Sequence, residues 1–389
     1  MTHDLVIIGG GPAGSAAAHR AAQLGARVLV LEKKPMPRPK LCGGWVSRYA
    51  LGLLPFAIPL QIIEVPFRRM TITDGDSTLV HSPKEPLGIF VDRARFDQFL
   101  LKQAQEAGAE VRWEKALAIR AHGAELRVTT GEAEYNASGV IIATGATGDL
   151  IKTVRPLDTA RESAACLEQR VPVEYAEQLS VNEGEGRFFV GTAPHGFGWV
   201  LHHGSYILVG IGQRRSGEAT LLPNFRRLWE RLTLPTTLIG PIGPFRPIGH
   251  IIPLGGHPRQ SGRGRCLLAG DAAGMVDAQS GEGIAGAIES GQLAAVALTR
   301  DSSSGAARTY SELCELSLLP HLRWSRRFAW GFYRNPRRVL SVLASLPDAL
   351  GRYTAVVDHR ESYPRYMLWL LGQRLLKSIS GGRSASRRD

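Results

Sequence analysis

Cysteine is scarce in this 389-residue chain: four residues, at positions 42, 166, 266 and 314, with no Cys-x-x-Cys pair. That excludes a disulfide scaffold and a cysteine-rich zinc module, and four reduced thiols in a cytoplasmic protein are expected. Long apolar runs are missing too. No stretch approaches the ~20 uninterrupted apolar residues that span a bilayer. The first strand pattern starts at about residue 4, so no leader peptide is expected. No internal repeat and no nucleic-acid motif is present, and nucleic acid is not an expected partner. Metal-ligand spacing is absent as well. His195, His202 and His203 lie close in sequence, but strand alternation puts 202 and 203 on opposite faces, so no metal is expected.

Acidic residues are thin in one place. From His321 to Asp389 there are 14 Lys/Arg against 4 Asp/Glu, a net of +10, while the first 320 residues carry 33 against 31. Trp324, Trp330, Phe332, Tyr333, Tyr366 and Trp369 interleave with these arginines. Such a region suits an anionic membrane surface, with a solvated helical face as the plainer alternative. The last nine residues are expected to fray.

What is present is concentrated at the start. Leu5 to Ile8 reads as a buried parallel strand, Ala13 to Leu24 as a small-residue helix, and Arg27 to Leu31 as a second strand ending in Glu32. Between them Gly9, Gly11 and Gly14 form a Gly-x-Gly-x-x-Gly turn. Gly9 makes the tight turn, Gly11 admits a pyrophosphate to the backbone, and Gly14 lets helix and strand pack. The helix N-terminus supplies free N–H groups for phosphates, and Glu32 stands where a carboxylate takes ribose hydroxyls. The pattern predicts dinucleotide binding.

Later segments extend it. Phe67 to Val80 reads as a hairpin around Asp74-Gly75, Gly88 to Val91 as a strand, and Arg93 to Ala107 as a helix. Gly139 to Ile142 is a buried strand running into Ala143-Thr144-Gly145. Arg265 to Ala269 is another, delivering Gly270-Asp271. Both turns sit where ligands bind at the carboxyl edge of doubly wound sheets. Between about 149 and 256 strands alternate, at Arg187 to Gly191, Gly198 to His203 and Tyr206 to Gly212, with a helix near Asn224 to Leu232. Gly281-Glu-Gly-Ile-Ala-Gly286 repeats the glycine spacing without a preceding strand. It starts a helix, from about Gly283 to Leu298, whose N-terminus would stabilise negative charge on a nearby cofactor, with tight packing through small residues as the other reading.

Residues 4–34, Val91 to Asp97, Gly264 to Ser290 and Lys40-Leu-Cys-Gly-Gly44 together resemble the geranylgeranyl reductase family, flavoproteins with the para-hydroxybenzoate hydroxylase-type fold. The resemblance covers about residues 1–340. It implies an α/β fold with a doubly wound, Rossmann-like FAD-binding domain, an antiparallel β-rich substrate cap and a helical C-terminal region. The expected boundaries are 1–60, 88–148 and 258–300 for the FAD domain, 61–87 and 149–257 for the cap, and 301–389 for the basic helical region. The expected cofactor contacts are Gly9, Gly11, Pro12, Ala13, Gly14, Glu32, Lys33, Cys42, Gly43, Gly44, Arg93, Ala118, Ala143, Gly145, Asp271, Gly283 and Ile284.

The family's Tyr-x-Trp-x-Phe-Pro substrate-floor stretch reads here Phe197-Gly-Trp-Val-Leu-His202. Residues two apart on a strand share a face, so Phe197, Trp199 and Leu201 are expected to line the substrate. Phe for Tyr removes a hydroxyl, which excludes a proton donor there. Cys42 is either a catalytic group or a small packing residue. The resemblance implies reduction of carbon–carbon double bonds in a polyprenyl chain, as a prenylated lipid or pigment, by hydride from reduced FAD. NAD(P)H and ferredoxin both stay open as electron donor. A flavin monooxygenase of the same fold and a non-catalytic prenyl-binding flavoprotein are the alternatives.

Overall fold

A computed structural model of the chain describes residues 2–215, 221–235, 247–301 and 305–373. The last nine residues, where fraying is expected, lie outside these.

The opening strand Thr2–Ile8 is the middle of an eight-stranded sheet. It pairs in parallel with Val28–Leu31 on one side and Glu134–Ile142 on the other. Cys266–Leu268 extends the parallel run beyond Glu134–Ile142, and Glu110–Arg112 extends it beyond Val28–Leu31. The central stretches of these strands are apolar without alternation because both faces are covered there. Leu5 to Ile8, Val28 to Leu31 and Val140 to Ile142 are all buried. The helix Pro12–Gln23 packs on Ile284–Arg300 and on Arg93–Glu106. Alanines and glycines on the first two permit close approach: a Cβ at Gly291 would run into the Ala13 carbonyl. Pro12 opens the first helix, where its missing N–H costs nothing. Asp92 caps Arg93–Glu106 by accepting from Ala94 N at 2.8 Å.

The second sheet has seven strands, in the order Ile248–Pro253, Ser163–Pro172, Tyr206–Arg214, Gly196–His202, Glu185–Val190, Arg69–Thr73, Thr78–His81. All neighbours are antiparallel except Glu185–Val190 with Arg69–Thr73. Its two faces carry different cores. Val171, Phe189, Val200 and Val209 pack with Phe225 and Trp229 of the helix Leu221–Arg231. Trp199, Leu201 and Leu208 face the C-terminal helices, with Phe328, Phe332, Leu340 and Tyr366. A small sheet of Trp45–Ser47, Gly88–Val91 and Ile63–Pro66 stands beside them. Ile63–Pro66, placed with the cap on sequence, therefore pairs with the strand that leads into Arg93.

Between residues 305 and 373 the basic C-terminal region packs against the rest of the chain. Leu318–Arg334 buries Leu318, Leu322, Ser325, Phe328, Ala329 and Phe332 along one stripe at helical spacing. Phe332 and Tyr366, two of the aromatics interleaved with the arginines, are buried in the core under the second sheet. Trp330 does face outward, 60% exposed, with Arg334 stacked on it at 4.6 Å. Among the described residues no helix is long and apolar enough to cross a membrane.

Candidate active site

The fingerprint turn has the geometry its glycines require. Gly9 has φ +108°. A Cβ on it would strike the Ala143 carbonyl, and one on Gly14 would strike the Gly9 carbonyl. Gly14 thus serves packing and lies off the cavity wall. Gly11 is open: an added Cβ would find only Arg38 Nη2 at 3.6 Å and Asp97 Oδ2 at 3.9 Å. Its amide end of the helix carries no side-chain cap, so the N–H groups there are free for an anion.

Glu32 is 3% exposed and accepts from Gly10 N at 2.8 Å and from Lys34 N at 3.1 Å. Arg38 bridges it to Asp97, at 3.4 Å to each carboxylate. Arg93 grips the other side of Asp97, Nε to Oδ1 at 2.8 Å and Nη2 to Oδ2 at 3.0 Å. A buried acid and a paired arginine thus frame the crevice with fixed charges.

A cavity of about 680 Å³ runs from this turn to the second sheet. Its near wall is the carboxyl end of the parallel sheet: Gly9, Gly11, Pro12, Ala13, Glu32, Lys33, Ala143, Gly145 and Asp271. Cys42, Gly43, Gly44, Arg93, Gly283 and Ile284 also line it. A Cβ at Gly283 would stand 3.8 Å from Asp271 Oδ1, so the start of Ile284–Arg300 and that carboxylate meet. Ala118 does not reach the cavity. It begins the strand Ala118–His122, and Glu114 to Leu117, just before it, form the wall instead.

The far wall is the floor made by the second sheet. Phe197, Trp199 and Leu201 all line it, and Leu201 Cδ1 would be 3.2 Å from a Cβ at Gly43. The Cys-Gly-Gly loop is therefore pressed between the two halves of the cavity, and larger residues at 43 would close it. Cross-strand register completes the floor. Val190, Phe197, Gly212, Cys166 and His250 lie in one row, and Phe188, Trp199, Gly210, Glu168 and Ile248 in the next. Directly paired residues project on the same face.

Sequence reasoning missed the strand Ser163–Pro172, and with it Cys166 and Glu168. Its Ser, Cys, Glu, Gln and Arg hide the period-two pattern of Ala164, Cys166 and Glu168, which all line the cavity. Lys40 stood in the Cys-Gly-Gly motif without a role. It is buried and contacts His250, Nζ to Nε2 at 2.5 Å. Burial lowers the Lys40 ammonium below its ordinary range, and burial together with Lys40 lowers His250 to about 4. Burial also pushes Glu168 up to about 7 and Glu282 up to about 7. Glu282 accepts from Ala285 N at 2.8 Å and so caps its helix.

The three histidines scatter. His195 lines the cavity, His202 accepts from Gly204 N at 3.0 Å, and His203 pairs with Glu64 at 2.6 Å. All four cysteines are free thiols, and Cys42 is half-buried.

The open turn at Gly11, the uncapped helix end, the buried Glu32 and the Asp271–Gly283 corner together fit FAD. Family models described as FAD dependent oxidoreductase match residues 4–154 and 80–295. The chloroplastic geranylgeranyl diphosphate reductase of Nicotiana tabacum is 30% identical over 77% of this chain and 67% of its own. A geranylgeranyl bacteriochlorophyll reductase-like protein from Thermoplasma acidophilum has the same fold. Its TM-score is 0.79 at 22% identity, over 95% of this chain and 99% of that one. A flavin-dependent brominase shares the fold more loosely, with TM-score 0.67 at 14% identity, over 96% and 99%. The chain belongs to the geranylgeranyl reductase family of FAD-dependent oxidoreductases.

Proposed function

We propose that this enzyme uses FAD to reduce carbon–carbon double bonds of a polyprenyl chain. The observation that carries the reading is the continuity of the cavity. The cofactor crevice opens onto the Phe197, Trp199 and Leu201 floor, and from there into a second apolar pocket of about 60 Å³. The two share Trp45, Phe188, Phe197, Ser280 and Tyr333, and the second runs on between Met70, Phe328 and Leu340. The mostly apolar walls of the second pocket, beside the cofactor crevice, suit a long hydrocarbon better than a compact polar ring.

Gly9 to Ala13 would hold the pyrophosphate, Glu32 the adenosine ribose and Asp271 the sugar-alcohol chain. Bound FAD supplies hydride when reduced. The protein's share is to align the alkene along the aromatic floor and to exclude water through Leu201 and the Cys-Gly-Gly loop. A nicotinamide or a ferredoxin recharges the flavin, and the prenylated substrate is met at an anionic membrane surface by the basic C-terminal helices. A flavin-dependent halogenase of this fold is expected to carry a Trp-x-Trp-x-Ile-Pro stretch, where this chain has Phe197-Gly-Trp-Val-Leu-His202.

The test is anaerobic. Purified yellow protein is reduced, mixed with geranylgeranyl diphosphate or a geranylgeranyl lipid, and watched for flavin reoxidation. The product should gain two hydrogens per reduced alkene. Strict need for O2, with an oxygen atom gained, would instead assign a monooxygenase.

A further inference from the structure

An acid on an apolar floor needs a reason, because burying a polar group without a partner is costly. Glu168 is 4% exposed, lines the cavity, and its Oε2 has no hydrogen-bond partner among the described residues. Its row explains how it is exposed to a ligand. Across from it stands Gly210, which has no side chain, and beyond that Trp199. A Cβ at Gly210 would lie 2.5 Å from Trp199 Nε1, so the indole leans over the glycine toward the Glu168 strand. Trp199 Nε1 is likewise buried without a partner. A carboxyl group and an N–H donor thus share one row of the floor with Phe188 and Ile248.

We infer that Glu168 is the proton donor of the alkene reduction, delivering its proton from Oε2 to the carbon that does not receive hydride. This rests on the reductase reading above. The atoms balance. The π bond breaks, one new C–H bond takes the hydride pair from two-electron-reduced FAD, and the other takes the Glu168 proton. The carboxylate left behind regains a proton from water, and a nicotinamide or ferredoxin donor restores the flavin. Alkene reduction asks for one proton at the hydrocarbon, and Glu168 brings an acid with an unpartnered oxygen to that floor.

The surroundings move the acid's titration up toward neutrality. Burial raises it to about 7, opposed by Lys40 and Arg170 and by the Cys42 backbone amide. The groups around it are Lys40 and Cys42 on the loop, Cys166 and Arg170 on its own strand, His250 on the next strand, and Trp199 across Gly210. Burial holds the Cys166 thiol far above its ordinary range, so it is no competing donor. Cys42, Lys40 and Glu282 are the rival proton carriers on the cavity wall, and the Glu168 variants separate its role from theirs.

The test compares wild type, Glu168→Gln, Glu168→Asp and Cys42→Ser as FAD-loaded enzymes. Gln retains an acceptor for the Cys42 amide but has no proton to give. Each enzyme is reduced anaerobically and mixed with geranylgeranyl diphosphate in detergent. Wild-type reoxidation should slow as pH rises through about 7. Glu168→Gln should be about 100-fold slower or worse and lose that pH dependence, with Glu168→Asp in between. FAD content and the rate of flavin reduction should not change. An infrared titration supplies a readout apart from turnover: a protonated-carboxyl band that ionises near pH 7 in wild type should be missing from Glu168→Gln. If wild type reoxidises and Glu168→Gln matches its rate and pH profile, or only Cys42→Ser slows the step, the role of Glu168 falls while the reductase reading stands. If wild type is never reoxidised by the prenyl probe, both fall.

Discussion

Replacing Glu168 by Gln should also change how stability depends on pH, without any substrate present. In the folded chain burial raises this carboxyl from its ordinary 4.5 to about 7. The unfolded chain therefore releases the proton first. Between these two pH values the folded state binds more protons than the unfolded state, so stability falls as pH rises, and the loss is complete above about 7. The displacement from 4.5 to about 7 corresponds to roughly 3 kcal/mol at 1.36 kcal/mol per unit. Gln is neutral at every pH and nearly the same shape. Below pH 4.5 the two proteins should unfold at the same urea concentration. At about pH 8 the variant should be more stable by on the order of 3 kcal/mol, which is a large part of a typical net stability. Glu282, also raised to about 7, is present in both proteins and cancels in the difference. The assay is urea unfolding of the FAD-loaded proteins at matched flavin saturation across this range. Parallel stability curves, or a variant that is weaker at high pH, would refute the buried neutral acid and the reasoning from it.

Other substitutions probe the remaining parts. Glu32→Ala strands the amides of Gly10 and Lys34, so it should lower FAD affinity and cost about 1–3 kcal/mol of stability, read by flavin release on dilution and by melting. Gly14→Ala drives a methyl into the Gly9 carbonyl and should destabilise by about 3 kcal/mol or prevent folding; a normal melt would contradict the close helix–strand approach. Cys42→Ser should keep the fold, and a slowed reoxidation by alkene would give the thiol a chemical role, whereas an unchanged rate leaves it to packing. Reversing the charge of Arg334, Arg337 and Arg338 should abolish pelleting with anionic vesicles at low salt, each basic residue contributing on the order of 1 kcal/mol. Truncation after residue 320 is no substitute for that test, because Leu322, Phe328 and Phe332 belong to the core.

The first thirty-odd residues announced their structure because the constraint is local. A strand, a turn that only glycine can make at Gly9, a helix that must lie close at Gly14 and an acid after the next strand are all fixed by short-range sterics. The same holds for Asp92 before its helix and for Asp74-Gly75 in its hairpin. The residues expected around the cofactor meet at one cavity, with Gly14 behind the wall and Ala118 beyond it. What sequence order could not decide is which distant strands become neighbours. Glu168 stands on a strand whose polar composition hides its pattern, and it gains meaning only because antiparallel register sets it across Gly210 from Trp199. Lys40 and His250 are 210 positions apart and touch. The arginine-rich C-terminal helices read as a surface, yet Phe332 and Tyr366 turn inward, because burial is settled by what a helix packs against and not by the charges beside it. Local sterics are written in adjacent residues, whereas desolvation, and with it the protonation of Glu168, belongs to the assembled interior.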